Sequence, residues 1–308
     1  MLGREDVGHR VVVRRIVDTR GEKPILSDLI GVLDEAGESH LTVRTADRIV
    51  QIPRSEITAS KRIPDRRARS ATERLELIAA QGWPAPDTGH IGEWLLRAAE
   101  GWTNRGNSAL PVGDPGRPVP AAVDAVEAWY TARGLPPAIT VPAPLGGRLT
   151  AELDRRGWTS SPPTLVQTAA LGAGDEPGVR LDPAPSPAWL AVAAARKRSL
   201  PAAALHILSA PDQVRFAGVY DDTGAAIATA RGVVTGGWLG MSLVEVAPDH
   251  RRQGHARRLY VALGAWATGL GASHAYLQVE AHNEAAVALY GTLGFRTHHS
   301  YVTRRPSA

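Results

Sequence analysis

The sequence predicts an α/β fold with a mixed sheet, preceded by a small all-β domain. Three observations carry this expectation. Residues 7 to 60 hold short β-branched runs separated by turn signals. The proline-rich stretch Pro177 to Pro187 marks a boundary late in the chain. Beyond it, hairpin-like strands come first and alternating strands and helices follow, an order that builds a mixed sheet.

Composition bounds the function. At 308 residues the chain is long enough for two or three domains, and its 44% apolar fraction is that of a globular protein. No apolar run approaches the ~20 residues that span a bilayer. The start MLGREDVGHR lacks the apolar segment of a signal peptide, so a soluble, cytoplasmic protein is expected. Without cysteine there is no disulfide framework, thiolate metal site or cysteine nucleophile. The net charge is only +4, and the run KRIPDRRAR, Lys61 to Arg69, carries an excess of that size by itself. Such a run reads as a solvated interdomain linker ahead of a nucleic-acid patch.

In chain order, HRVVVRRIV, SDLIGVLD, SHLTVRT and RIVQIP are the strands of the first domain, residues 1–62. Strands this short and close together suggest a small barrel of the Sm-like or Src-homology kind. No aromatic pair is present to stack a base, so a scaffold or oligomer contact is the expected role. A linker helix with Leu75, Leu77 and Ile78 as its apolar positions occupies residues 63–89 and ends at the GWPAPDTG breaker. Residues 90–177 hold a helix from Ala121 to Arg133, the strand PAITVP and a helix around Leu149 to Arg156. In residues 178–308 come a helix from Ala188 to Arg198, then QVRFAGVYDD, AAIATARGVV and WLGMSLVEV as strands. HAYLQVE, the helix NEAAVALYGTLG and the strand THHSYVTR complete it.

The last two regions echo each other: strand, loop, helix, strand, helix, Gly-aromatic, strand occurs twice, with RRGW at Arg155 to Trp158 matching TLGF at Thr292 to Phe295. This reads as a tandem duplication. Where the second copy has VAPDHRRQGHA, the first has VGDPGRPVP, Val112 to Pro120, without the arginine-glycine loop.

That loop is the main chemical signal. Arg251-x-x-Gly254-x-Ala256 lies between a predicted strand end and a helix start. A helix N-terminus offers unpaired N–H groups and a positive dipole end, the setting for a pyrophosphate. Glycine and alanine permit close approach, and Arg251 and Arg252 add charge. Leu259, Leu263, Trp266 and Leu270 form the apolar stripe of the helix. The plain alternative is a basic turn before an ordinary amphipathic helix.

The continuation favours the cradle. VEVAPDHRRQGHARRL and LQVEAHNEAAVALYGTLGF together resemble the two linked motifs of the GNAT superfamily of acetyl-CoA-dependent N-acyltransferases, over roughly Pro187 to Arg305. The resemblance implies a GNAT fold in residues 178–308, a degenerate GNAT-like half in 90–177, and acetyl-CoA as the acyl donor with CoA as product, without a metal. The main chain of Val244, Glu245 and Val246 would pair with the pantetheine arm. The loop Arg251, Arg252, Gln253, Gly254, His255, Ala256 and Arg257 would hold the pyrophosphate, through the amides from Arg252 to Arg257. Asn283 would bind near the pantetheine, and Tyr290 would point at the sulfur as acid. From spacing alone, Asn283 and Tyr290 lie two turns apart on one helix face. Asn283 also suits a helix N-cap, Tyr290 a core aromatic, and Gly294 a C-cap.

The general base is open. Ribosomal-protein acetyltransferases of the superfamily carry a glutamate five residues before the asparagine, where this chain has Gln278. Glu245 and Glu280 remain. Alternation puts Glu245 opposite Val244 and Val246, and Glu280 on the face of Gln278, with Glu245 preferred. The backbone N–H of Val246 is the expected oxyanion donor. His298 and His299, adjacent on a strand, are expected on opposite faces and so unsuited to share a metal. His255 and His282 are expected to face solvent.

The whole chain is similar to actinobacterial proteins with a small barrel ahead of a double GNAT unit, some of them histone-acetyltransferase-like. The expected activity is acetyl transfer to a primary amine, either a protein lysine or N-terminus or a small amine. The rival is an acetyl-CoA-binding regulatory module whose basic barrel region binds RNA or a protein. No membrane partner is expected.

Overall fold

The computed structural model describes residues 2–20, 23–45, 48–63, 68–172, 174–193 and 201–307. Two compact units emerge: residues 1–69 with 116–121, and residues 70–115 with 122–308.

The first unit is an antiparallel five-stranded sheet. Its strands are β1 (Arg10–Arg20), β2 (Lys23–Ala36), β3 (His40–Arg44), β4 (Ile49–Pro53) and β5 (Ile57–Arg62), and their order is β4-β3-β2-β1-β5. Val11, Val13, Leu33, Leu41, Val43 and Ile52 are fully buried, as two-residue alternation requires of one sheet face. Among the described residues no ladder closes β4 on β5. The sequence reading did not separate β5, whose ITASKR lacks an apolar alternation. Residues 64–67 of the basic run lie outside the described residues.

The second unit opens with α1 (Ala71–Gln81), started by a reciprocal cap: Ser70 Oγ accepts from the Glu73 amide, and Glu73 accepts from the Ser70 amide. The hairpin β6 (Asp87–Ile91) and β7 (Trp94–Ala98) follows, then α2 (Val119–Thr131), β8 (Ile139–Pro142), α3 (Gly147–Arg155), β9 (Thr159–Ser160) and β10 (Thr164–Ala170). Next come β11 (Arg180–Asp182), α4 (Pro187–Ala193), α5 (Ala202–Ser209), β12 (Val214–Tyr220), β13 (Ala226–Thr235) and β14 (Trp238–Val246). The chain ends with α6 (His255–Gly269), β15 (His274–Glu280), α7 (Glu284–Thr292) and β16 (Arg296–Arg305). The helix read at 188–198 is described only to Ala193, and the rest lies outside the described residues. The helix read at 121–133 runs two residues earlier, from 119 to 131.

A nine-stranded sheet spans this unit in the order β11-β12-β13-β14-β15-β10-β16-β8, with β9 on β16. The order departs from chain sequence at β10. β10 sits between β15 and β16, and β16 in turn pairs β8. The parallel pairing of β14 with β15 has a small counterpart in the parallel bridge Ala109–Ile139.

On one sheet face, Leu239, Met241, Ala275, Leu277 and Val279 pack against Leu259 and Leu263 of α6 and Tyr290 of α7. Burying each leucine stabilises by about 1.5–3 kcal/mol. Leu270, expected on this stripe, is 43% exposed because the helix has ended one residue earlier. On the other face, α1 covers Val166, Tyr276 and Tyr301. Beside it Trp83, Trp102, Trp189 and Phe216 pack with α5. Arg231 of β13, 1% exposed, ties these helices down: its guanidinium donates to the carbonyls of Gly82, Ile207 and Leu208.

Candidate active site

The site begins where the sheet opens. β14 and β15 pair in parallel from Trp238–His274 to Met241–Leu277 and then part. The cause lies in β14. Its register against β13 slips between Arg231–Ser242 and Thr229–Glu245, so Leu243 and Val244 together oppose Ala230. Leu243 takes φ of +51°, strained backbone for a branched residue. Strain of this kind persists only where the surroundings over-determine it.

The bulge sorts the side chains. Val244 and Val246 pack with Met241 on the α6/α7 face, while Leu243 packs on the tryptophan side. Glu245 is paired across the ladder with Thr229 and stands half-buried opposite the two valines. Ala247 donates to the Ile227 carbonyl, so ladder alternation turns the Val246 N–H away from β13. The Val246 carbonyl accepts from Arg251 Nε at 3.2 Å.

The loop after β14 then forms the head of α6. Arg252 has φ of +63° and Gly254, the N-cap, φ of +80° without a side-chain cap. The amides of Arg257 and Arg258 both donate to the Gly254 carbonyl. The amides of Arg252, Gln253, Gly254, His255 and Ala256 find no acceptor among the described residues. The row of free amides ends at Ala256, because the Arg257 N–H already closes the first helical turn. The Arg257 side chain lines a cavity of about 290 Å³ with Tyr260, Gly264 and Thr292.

His255 corrects the sequence reading: it is 9% exposed rather than solvent-facing. The first turn of α6 folds its ring inward, with Nε2 3.4 Å from Gln253 Oε1 and Nδ1 without a partner. Burial, then Arg258 and His250, holds the imidazole below its ordinary pKa. His282 is exposed as expected, 3.2 Å from Glu280.

At the head of α7, Asn283 Oδ1 accepts from the Ala286 amide at 3.3 Å. It is the N-cap that its residue type suggested. Tyr290 is buried, edge-on to Phe295 at 5.8 Å. Gln278 accepts from the Tyr301 hydroxyl at 3.0 Å, and Glu280 is exposed at the end of β15.

The histidine pair is a second correction. β16 slips register between Val166–His299 and Gln167–Thr297, which leaves His298 in a bulge. Simple alternation then fails, and the two Nδ1 atoms come within 2.8 Å. His299 Nε2 lies 2.7 Å from Glu76 of α1, both buried. Among the described residues no three His, Cys, Asp or Glu are placed to share a metal.

A mixed sheet that opens where β14 bulges, followed by a glycine-led row of free amides at a helix head, defines an N-acetyltransferase of the GNAT superfamily. The model of the family described as "Probable histone acetyltransferase Rv0428c C-terminal" matches residues 69–303, and the chain belongs to that family. It is 29% identical over 309 residues to "Probable histone acetyltransferase Rv0428c" of Mycobacterium tuberculosis, covering 97% of this chain and 95% of the relative. It is 29% identical over 249 residues to "Uncharacterized N-acetyltransferase YobR" of Bacillus subtilis, covering 75% and 98%. A solved GCN5-related N-acetyltransferase from Kribbella flavida has the same fold, with TM-score 0.58 and 18% identity over 78% of this chain and 97% of that one. No helix among the described residues is long and apolar enough to cross a membrane.

Substituting Gly254 tests the cradle. Gly254→Val forces a β-branched residue into the left-handed region, so the first turn of α6 must tilt its amides away. The expected result is roughly a tenfold or greater loss of acetyl-CoA affinity by thermal-shift titration, the worth of one to two charge-assisted bonds. Unchanged affinity would show that these amides do not hold the cofactor.

Proposed function

We propose that the protein transfers an acetyl group from acetyl-CoA directly to a primary amine. The observation that carries this reading is the pairing of the opened β14–β15 edge with the free amides of Arg252 to Ala256. An extended polar arm can add to the strand edge, and a pyrophosphate can satisfy the amides. These residues therefore fit acetyl-CoA, which supplies the acetyl thioester when bound.

In this reading the main chain of Val244, Glu245 and Val246 holds the pantetheine arm. The Val246 N–H, turned toward the opening, donates to the developing oxyanion. Arg251 braces the strand end by its bond to the Val246 carbonyl. Arg252 adds positive charge at the loop, while Gln253 stiffens it through Nε2 to the Asp249 carbonyl. Asn283 fixes the start of α7, and Tyr290 donates a proton to the leaving sulfur. Glu245, on the opposite face from the valines, takes the proton of the incoming ammonium. Gln278 cannot do so, and Glu280 is already beside His282.

Residues 178–308 are the catalytic half in this proposal, and 90–177 its degenerate copy. The exchange of β10 and β16 and the Ala109–Ile139 parallel bridge support the duplication. Loop 112–120 carries no counterpart of the arginine-glycine cradle.

Acetyl-CoA and CoA titrated against the melting temperature test the proposal. A ligand at 100 times its Kd adds about 2.7 kcal/mol, a shift of several degrees. An amine panel read by thiol release then tests transfer. No shift with any CoA species would sink the reading.

A further inference from the structure

The face of the sheet opposite α6 and α7 gathers three arginines, Arg97, Arg105 and Arg231, with Glu76 as a nearby carboxylate. Arg105 is half-buried, its Nε sequestered without a hydrogen-bond partner, and its guanidinium lies 4.5 Å over the Trp83 ring. Arg231 lies 5.4 Å over the same ring and is bound only to carbonyls. Arg97, also buried, donates to the carbonyl and hydroxyl of Ser108. The nearby carboxylate of Glu76 is taken by His299. Each guanidinium gains from the indole face, yet the Arg105 Nε is left without an acceptor.

Unanswered hydroxyls stand on the same face. Ser242 Oγ, in the bulge and paired across the ladder with Arg231, is buried without a partner, and so is Thr229 Oγ1. Tyr276, one residue before β14 and β15 part, buries its ring on this face with its hydroxyl close to Gly82 and Gly240. Any side chain at Gly82 or Gly240 would press on that hydroxyl. Burial pushes the phenol up to about 12, with Arg105 and then Arg231 pulling the other way, so both guanidiniums are within electrostatic reach.

The loop that presents Arg105 is built for rigidity. Glu100 and Thr103 both have positive φ, at 50° and 64°. Buried Asn107 holds them there: Oδ1 accepts from the amides of Ala99 and Gly101, and Nδ2 donates to the carbonyls of Trp102 and Thr103. Trp83 stacks on Trp102 at 5.4 Å and donates to Thr103 Oγ1. Two strained residues fixed by one buried amide are the mark of a preorganised group.

We propose that the acceptor amine carries a carboxylate, and that Arg105, on the Trp83 face, binds it. A guanidinium without a carboxylate partner matches a planar two-oxygen anion. Arg105 is within electrostatic reach of Tyr276, which stands next to the β14–β15 opening. The carboxylate anchors at Arg105 while the amine reaches Glu245. Arg105 is thus a specificity-determining residue, and the acceptor class is the small amino acid. The inference rests on the transfer reading above.

Two arms test it. ω-Amino acids of two to six carbons are compared as acceptors with the matching n-alkylamines in wild type and Arg105→Met. Wild type is expected to favour the carboxylate-bearing member. Arg105→Met should raise its KM by about 10- to 100-fold, the worth of a charge-assisted bond, with kcat and the acetyl-CoA melting shift kept. Arg105→Lys should recover part of the loss. The second arm needs no turnover: calorimetric titration with the N-acetyl ω-amino acids and the N-alkylacetamides. Only the carboxylates should bind, and only to the wild type. If transfer fails but this selectivity holds, the transfer reading falls and the subsite stands. Equal use or binding of the neutral members overturns the proposal, as does indifference to Arg105→Met or no binding by any carboxylate of the series.

Discussion

Tyr290→Phe is expected to lower kcat for acetyl transfer by about 100-fold or more, while acetyl-CoA still raises the melting temperature as in wild type. The substitution removes one oxygen and leaves the ring. Tyr290 is 9% exposed and packs edge-on to Phe295, so an isosteric phenyl keeps the core of α7 intact. What it removes is a proton donor. Without it, CoA must leave as a thiolate with no proton supplied, which is less favourable when the acceptor is a primary amine. The companion Glu245→Gln variant should lose rate mostly at the acid end of the profile, where the amine must be deprotonated on the enzyme. Unchanged kcat in Tyr290→Phe would remove the phenol from the acid role and return it to the core.

The two motifs of this site were legible because each is local. Gly254 was read as a place of close backbone approach, and Asn283 as a residue suited to a helix N-cap, the position it takes. Their partners across the sheet were not legible in the same way. The bulge at Leu243 did leave a trace: the buried residues Leu239 and Met241 are odd-numbered, while Val244 and Val246 are even-numbered. That change of parity is what an inserted residue produces in a period-two pattern. The same device at His298 defeated simple alternation and brought two histidine rings into contact. Arg105 carried no signal at all, since its placement depends on Trp83 being folded against it. The placement of β10 between β15 and β16 was equally hidden. The choice of sheet neighbour is made by tertiary packing rather than by local pattern.

Arg231→Met should cost about 3–5 kcal/mol of stability and lower the melting temperature by roughly 10 °C. Methionine nearly fills the space, so the loss is not one of volume. The guanidinium donates to Gly82 just past the end of α1, and to Ile207 and Leu208 in the last turn of α5. These are helix C-terminal carbonyls, left without intrahelical partners and at the negative end of the dipole. Removing the donor leaves three buried acceptors unsatisfied, at about 1–3 kcal/mol each. Burial lowers the Arg231 pKa to about 10, yet the group is still protonated at neutral pH. The sign follows from linkage: the unfolded chain binds more protons between the folded and unfolded pKa values, so stability contributed through this group rises with pH only above about 10. At pH 7 the depressed pKa means that the charge is costly to bury, whereas the substitution measures what the carbonyls lose when no donor is present. Arg231→Lys should fall between the two, because an ammonium cannot fork across carbonyls from two helices. A loss below about 1 kcal/mol in Arg231→Met by calorimetry would mean that water reaches those carbonyls and that the arginine is not what joins α1 and α5 to β13.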